Sequence, residues 1–296
     1  MAVRSPSDML RGRLVRQVQA VFNDRSKGET PVVRSSNALF APGSVIWRVH
    51  GDVTTMMIGG IAALLLQMLH PAALAGVWDH SAFRDDMLGR LRRTARFIAV
   101  TTFADRDQAM ALIERVNTIH GAVHGTLPDG TPYSARDPEL LAWVHTCEAY
   151  CFLEAWKRFG EGGMAREDQD TYFRQAAVIA RMLGADPAPD CRSGAICQIL
   201  NGCKDLVADE RTRAVAERIV NQKSTHPALA PVQKALVLAA IDMLPDWARA
   251  MHGLELRSVT ALAANASARV LAGTLRWGFA QRQVPAPPVS PMRLVG

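Results

Sequence analysis

The chain lacks the features that mark several common classes of protein. Aromatic residues make up only 6% of its 296 residues, which disfavours a sheet-based fold. Its five cysteines have no CxxC spacing, which argues against a disulfide framework or a structural zinc site and predicts a reducing, cytoplasmic location. The N-terminal stretch carries too many charges to form the apolar core of a secretory signal. No GxGxxG, P-loop or GxSxG motif occurs, which disfavours dinucleotide, nucleotide and α/β-hydrolase sites.

Long hydrophobic runs are also scarce. The run Met56–Leu69 is uncharged and apolar, but it is shorter than the roughly 20 residues that a helix needs to cross a bilayer. We therefore predict a core helix here and no transmembrane segment.

The residues that are abundant favour helices. Alanine, leucine and arginine dominate a chain that is 49% hydrophobic and 21% charged. The net charge is +6, but basic and acidic residues are interspersed, so no nucleic-acid partner is expected. We predict an all-α fold in three parts: an N-terminal helix and loop over 1–36, one multi-helix domain over 37–280, and a flexible proline-rich tail over 281–296.

Capping residues and turn signals predict the helix boundaries. Asp52 is expected to cap the apolar helix that ends before Pro71. Ser81 is expected to cap a helix that reaches about Phe103. Asp105 or Asp107 should then cap the helix over 106–124.

The second half of the chain continues the same pattern. Pro-Asp-Gly chemistry predicts a loop or small hairpin over 125–133, and Asp137-Pro138 starts a helix that reaches about Phe159. Further helices are expected at about 166–183, 193–207, 209–221, 229–243, 245–252 and 256–275.

One helix face combines two cations, a hydroxyl and an aromatic ring. Arg90, Arg93, Thr94 and Phe97 follow at i, i+3, i+4 and i+7, so they share this face. Half-buried guanidinium groups need anionic partners. Those partners are either local carboxylates, in a salt-bridge network, or the acidic groups of a cofactor such as a haem.

His120 lies on the apolar face of the following helix, between Ala109 and Ile113. It is either a core histidine bonded to a carbonyl or a ligand of a metal or haem. His120 and His124 form an HxxxH pair, but no glutamate occupies the position that a zinc hydrolase requires.

The remaining histidines are weaker candidates. His70 and His80 lie at helix breaks, where irregular backbone could line a cavity. His145, in mid-helix, is expected in the core. The other three, namely His50, His226 and His252, are expected on the surface or in loops.

Several of these segments, taken in order, resemble the mpaB-type oxygenase family, which includes the rubber-cleaving latex clearing proteins. The resemblance runs from about Phe40 to Arg276 and is strongest over 70–160. It rests on the segments HPAALAGVWDHSAFR (70–84), GRLRRT (89–94), RVNTIHGAVHG (115–125), DGTPYSA (129–135), DPELLAWVH (137–145) and LPDWAR (244–249).

The resemblance implies a helical domain enclosing a pocket for haem b, with O2-dependent oxidation as its activity. His120 matches the family's axial histidine and so would ligate the iron. Arg90, Arg93 and Thr94 match an RxxKT-like helix that would hold or gate the haem. Position 93 is arginine where that pattern has lysine, and arginine does not readily lose its proton to bind iron.

The sequence therefore predicts a haem b-dependent oxygenase acting with O2 on a small, mostly apolar substrate. Arg90, Thr94 and His70 are the predicted catalytic residues. The predicted cofactor-binding residues are His120, which is also the predicted iron ligand, and Arg90, Arg93, Thr94, His124 and His80. A homodimer is compatible with these features.

Two alternatives stay open at this stage. One is a haem-binding sensor or carrier without turnover. The other is a cofactor-free helical interaction protein in which Arg90 and Arg93 pair with Asp85, Asp86 or Glu114.

Overall fold

The computed structural model describes residues 6–23, 28–81, 83, 86–222, 224 and 227–280. They form thirteen α-helices and one short antiparallel sheet, which confirms the predicted all-α class. The tail predicted over 281–296 and His226 lie outside these residues. The elements are α1 (Pro6–Phe22), α2 (Val45–His50), α3 (Val53–Gln67), α4 (Pro71–His80), α5 (Met87–Phe103), α6 (Arg106–Gly121), β1 (His124–Thr126), β2 (Pro132–Ser134), α7 (Pro138–Phe159), α8 (Arg166–Met182), α9 (Arg192–Gly202), α10 (Glu210–Val220), α11 (Ala230–Met243), α12 (Asp246–His252) and α13 (Ser258–Phe279).

Helices α3 and α7 pack along each other at the centre of the fold. α11 and α13 cover α3, while α8 and α9 lie against α7. At the end of α13, Arg276 donates to the Asp52 carboxylate at 2.6 Å and so ties α13 to the start of α3. The uncharged run Met56–Leu69 is thus a core helix, as predicted.

No single helix in the described ranges is long and apolar enough to span a membrane. α3 and α4 reach the required length only together, and a bend of 105° separates them.

The backbones of α3 and α7 are in close contact at Gly59. A Cβ at this position would lie 2.8 Å from the Phe152 ring and 2.9 Å from the carbonyl oxygen of Cys151. Real Cβ atoms do not approach backbone atoms this closely, so only glycine fits without a shift of one helix.

Two apolar clusters share α7. One joins α3, α4, α7, α10 and α11 around fully buried side chains such as Leu65 and Ile241. The other joins α2, α5, α6, α7 and α8 around Ile46, Leu153 and Tyr172. The candidate site lies beside the second cluster.

The predicted helix caps Asp52 and Asp105 and the predicted helix start at Asp137-Pro138 are confirmed. The Asp52 carboxylate accepts from the Thr55 amide at 3.0 Å. Asp105 caps α6, and Asp137 caps α7 through the Glu139 amide at 2.9 Å.

The predicted start of α5 at Ser81 is wrong. Asp86 caps this helix by accepting from the Gly89 amide at 2.8 Å, and a Cβ at position 89 would overlap its carboxylate. The Ser81 hydroxyl instead donates to the Val77 carbonyl at 2.7 Å and closes α4. Two other helices end earlier than predicted. α6 ends at Gly121 rather than at 124, and α9 ends at Gly202 rather than at about 207.

The cap of α7 makes a measurable contribution to stability. We expect Asp137→Ala to lower the free energy of unfolding by about 1 kcal/mol, because it removes acceptors for two first-turn amides. Denaturant unfolding measures the change, and Asp137→Asn, which keeps an acceptor, serves as the control. Equal losses in the two variants would contradict this role.

A small hairpin joins α6 to α7, as the Pro-Asp-Gly signal predicts. Gly125 pairs with Tyr133 across its two strands. Gly130 adopts the positive φ of 90° that the turn requires. The Tyr133 hydroxyl donates to the Asp79 carboxylate at 2.8 Å, which fixes the hairpin to α4.

Candidate functional site

Helices α5 and α6 form a hairpin that carries most of the predicted site residues. At its turn, Asp105 accepts from the Asp107 amide at 3.1 Å and from the Asn37 side chain at 3.2 Å. These hydrogen bonds lower the pKa of Asp105, and the bond from the Asp107 backbone amide has the largest effect. Towards the far end of α6, the Asn117 side chain donates to the Met182 carbonyl at 3.0 Å. α6 is thus anchored near both of its ends.

His120 lies in the last turn of α6 and is half-buried. Its Nδ1 atom is buried and has no hydrogen-bond partner among the described residues. Burial, and then the charge of Arg136, lower the pKa of the imidazole. The ring is therefore neutral at physiological pH and keeps one nitrogen unpaired. A buried polar atom without a partner is uncommon and calls for an explanation, such as a missing ligand.

Arg136 covers the C-terminal end of α6. Its Nη2 donates to the Asn117 carbonyl at 3.2 Å and lies 2.8 Å from the position that a Cβ at Gly121 would take. A cation at a helix C-terminus interacts favourably with the helix dipole. Sequence analysis did not single out Arg136, and the glycine directly after His120 was the only hint that another group approaches there.

A cavity of about 50 Å³ lies beside the hairpin, between α5, α7 and α8. Most of its wall is apolar, with Phe97 and Ile98 from α5, Phe152 from α7 and Phe173 from α8. This composition is typical of a site for an apolar ligand.

Two titratable side chains of α7 face this cavity. His145 and Glu148 are separated by 3.9 Å between Nδ1 and Oε2. Burial, and then the neighbouring His120, lower the pKa of His145 to about 4. Burial raises the pKa of Glu148 to about 7. His145 is thus in the interior, as predicted, and close enough to His120 for their charges to interact.

The prediction that His50 lies on the surface or in a loop is wrong. His50 is the last residue of α2 and lines the cavity. Its ring nitrogens are 2.8 Å from the Thr102 hydroxyl and 3.1 Å from the Tyr172 hydroxyl. Burial lowers the pKa of His50 to about 3. The prediction for His252 is also wrong, because this residue is only 7% exposed and bonds the Leu65 carbonyl at 2.8 Å.

The arginine face of α5 leads to the cavity. Phe97 reaches the cavity wall, and Thr94, Arg93 and Arg90 precede it on the same side of the helix, with Thr94 and Arg93 exposed. Arg93 pairs with Asp86 at 3.6 Å, as one of the alternatives predicts. Burial, and then Arg93, lower the pKa of Arg90 to about 10.

The Arg90 guanidinium makes no hydrogen bond or ion pair within the part of the chain that the structure describes, and the predicted partner Asp85 lies outside that part. A mostly buried cation without a carboxylate partner is unfavourable. An anionic group of a bound molecule would satisfy it.

The structure does not bring His70, His80 and His124 to this cavity. His70 caps α4, its Nδ1 accepting from the Ala72 amide at 3.3 Å. His80 Nε2 lies 3.1 Å from the carbonyl oxygen of His124, and this contact joins α4 to the β-hairpin formed by β1 and β2. The side chain of His124 is exposed on β1. Their predicted roles stay predictions, and their contacts are those of structural residues.

The donor set suits a haem better than a bare metal ion. Within the described ranges, no group of three or more His, Cys, Asp and Glu could hold a metal ion. A haem needs fewer protein ligands, because its porphyrin surrounds the iron and the protein adds axial ligands. His120 offers an unpaired ring nitrogen, and Arg90 offers a cation to a propionate. These residues therefore fit the group.

Sequence analysis missed Glu148. Its position three residues after His145, between the buried Cys147 and Ala149, was the signal that could have found it.

Residues 47–277 match the model of a protein family described as ER-bound oxygenase mpaB/B′/rubber oxygenase, catalytic domain. The match covers most of the chain and includes α5, α6 and all the residues that line the cavity except Ile46. Comparison with curated proteins and with solved structures gave no match.

Proposed function

Because the chain belongs to the mpaB/rubber oxygenase catalytic-domain family, we propose that it is a haem b-dependent oxygenase acting with O2 on a small, mostly apolar organic substrate. The observation that carries the haem assignment is the buried, unpaired Nδ1 of His120. The apolar cavity between α5, α7 and α8 supports the substrate class.

The proposal gives each group of residues a separate task. His120 would hold the iron from the end of α6, where Asn117 and Arg136 restrict movement of the helix. Arg90 and Arg93 would pair with the propionates. When bound, the haem supplies the iron at which O2 is activated.

The apolar wall would bind the substrate and exclude water. Phe97, Phe152 and Phe173 leave few polar groups to compete for an apolar molecule. Thr94, exposed on the same side of α5 as the arginines, is proposed to contact the propionate side of the haem. A cytoplasmic location is also proposed, and the five unpaired cysteines, all within the described residues, support it.

An absorption spectrum and an oxygen electrode test the proposal together. The protein produced with excess haem should show a Soret band and consume O2 only when an oxidisable apolar compound is added. A Soret band without O2 consumption across a broad panel would favour a sensor or carrier. A colourless protein would overturn the proposal.

Arg90 supplies a second test. Arg90→Gln should release haem about tenfold faster than wild type, because the propionate would lose a charged partner. Transfer of haem to an excess of apomyoglobin measures the rate. Arg106→Gln, which removes an exposed arginine at the other end of the hairpin, should leave the rate unchanged. Equal rates for Arg90→Gln and wild type would exclude this contact.

A further inference from the structure

The carboxyl group of Glu148, in the wall of an apolar cavity, has no hydrogen-bond partner among the described residues. Its Oε2 atom lies 3.9 Å from His145 Nδ1, which is too far for a hydrogen bond. Its side chain keeps 20% of its surface exposed, and that surface faces the cavity. Buried carboxylates are normally paired with a cation or hydrogen-bonded. The group therefore has bonding capacity that the protein itself does not use.

Glu148 faces no fixed cation among the described residues that line the cavity. The described residues that line the cavity include no lysine or arginine. The titratable groups around it are His145 on the same helix, His50 from α2 and Tyr172 from α8, besides two buried thiols of α7. Burial keeps both imidazoles neutral, and it raises the pKa of Tyr172 so that the phenol is neutral too. An ionised Glu148 would be the sole formal charge on this wall.

The rest of the wall suits an organic cation. The rings of Phe97, Phe152, Tyr172 and Phe173 line the cavity. Aromatic faces attract an ammonium group, and the attraction is stronger where water is excluded. A carboxylate among aromatic rings, with no competing cation, is a binding site for an amine that has an apolar body.

We propose that this cavity binds the ammonium group of a small amine with an apolar body, and that Glu148 is its counter-ion. The inference rests on the proposed function only in taking this amine as the substrate class, since the binding itself needs no iron. It makes Glu148 a residue that determines specificity.

Matched small ligands test the inference on the protein as purified. Ligand-observed NMR titrations would compare n-butylamine with n-butanol, which differ in the charged group alone. Wild type should bind n-butylamine at least tenfold more tightly than n-butanol at pH 8. Glu148→Gln should lose that preference while keeping n-butanol binding, which shows that the cavity is intact. Glu217→Gln, the same change at an exposed position on α10, should behave as wild type.

The pH dependence gives a readout that a structural role would not move. Glu148 must be ionised to pair with the ammonium group, and its pKa is raised to about 7. n-Butylamine affinity should therefore fall about tenfold for each pH unit below 7 and level off above it. n-Butanol affinity should stay flat. This comparison needs wild type alone, so it holds even if Glu148→Gln fails to fold.

Other outcomes separate this inference from the proposed function. Equal affinity for the two ligands in wild type, or unchanged n-butylamine binding in Glu148→Gln, would overturn it. Amine binding that persists in Glu148→Gln and shifts the Soret band would show iron ligation instead, which supports the haem and rejects the role of Glu148. Glu148-dependent binding to a colourless protein would retain this inference and reject the haem.

Discussion

His120→Ala is expected to purify without the Soret band of the wild-type protein, even when haem is in excess during production. The imidazole is the one side chain on α6 that combines a neutral state with a buried, unpaired nitrogen. Loss of a neighbour that only orients a metal ligand costs about 10–100-fold in affinity, so loss of the ligand itself should cost more than about 100-fold. Haem titration followed by absorbance measures the change.

His124→Ala is the matched control, because its side chain is exposed on β1, four residues further along the chain. It should bind haem as wild type does, and both variants should show the helix content of wild type by circular dichroism. A wild-type Soret band in His120→Ala would remove His120 as the ligand. Loss of the band in both variants would indicate that the structure between α6 and β1 is disturbed, rather than that one imidazole ligand is lost.

Gly59→Ala should lower the free energy of unfolding by about 2–3 kcal/mol, although alanine is the better helix former. The new methyl group would come within 2.9 Å of backbone atoms of Cys151 and Phe152, which cannot rotate away. α3 and α7 would have to separate along the most extensive helix contact in the fold. Denaturant unfolding followed by circular dichroism measures the loss.

Gly60→Ala makes the same chemical change one residue later. Its Cβ would meet the Phe152 ring at 3.7 Å, an ordinary van der Waals contact. The gain in helix propensity should then raise the free energy of unfolding by up to about 1 kcal/mol. Effects of the same sign in the two variants would show that close packing at Gly59 is not the cause.

Local chemistry made the class of fold and several helix starts predictable. Asp52, Asp105 and Asp137 each precede a helical pattern and accept first-turn amides, so sequence alone identifies them. The start of α5 was predicted wrongly because serine and aspartate are both favourable N-cap residues. Asp86 caps the helix because Gly89 leaves room for its carboxylate. The spacing of apolar residues in a helix does not predict such a contact.

Burial of individual histidines was harder to predict, because it depends on distant parts of the chain. His50 is enclosed by Tyr172 and Phe152, which belong to α8 and α7. His252 bonds a carbonyl of α3. These contacts cannot be inferred from the residues that flank either histidine in sequence.

The candidate site was predictable where helical spacing sufficed. The arginine face of α5 was found this way, and its relation to the cavity follows from Phe97. Glu148 was missed because a lone glutamate in a helix is usually solvent-exposed, and its raised pKa arises only from burial in the assembled fold.

The contact at Gly59 also separates two properties that usually change together in a protein interior. The approach of α3 to α7 is limited there by backbone atoms of Cys151 and Phe152, with the Phe152 ring beside them. The shape of the cavity next to it is set by side chains, among them Phe152, whose backbone forms one side of that contact. Exchange of the other side chains that line the cavity can therefore change which molecules fit there, while the backbone contact keeps the two helices at the same spacing.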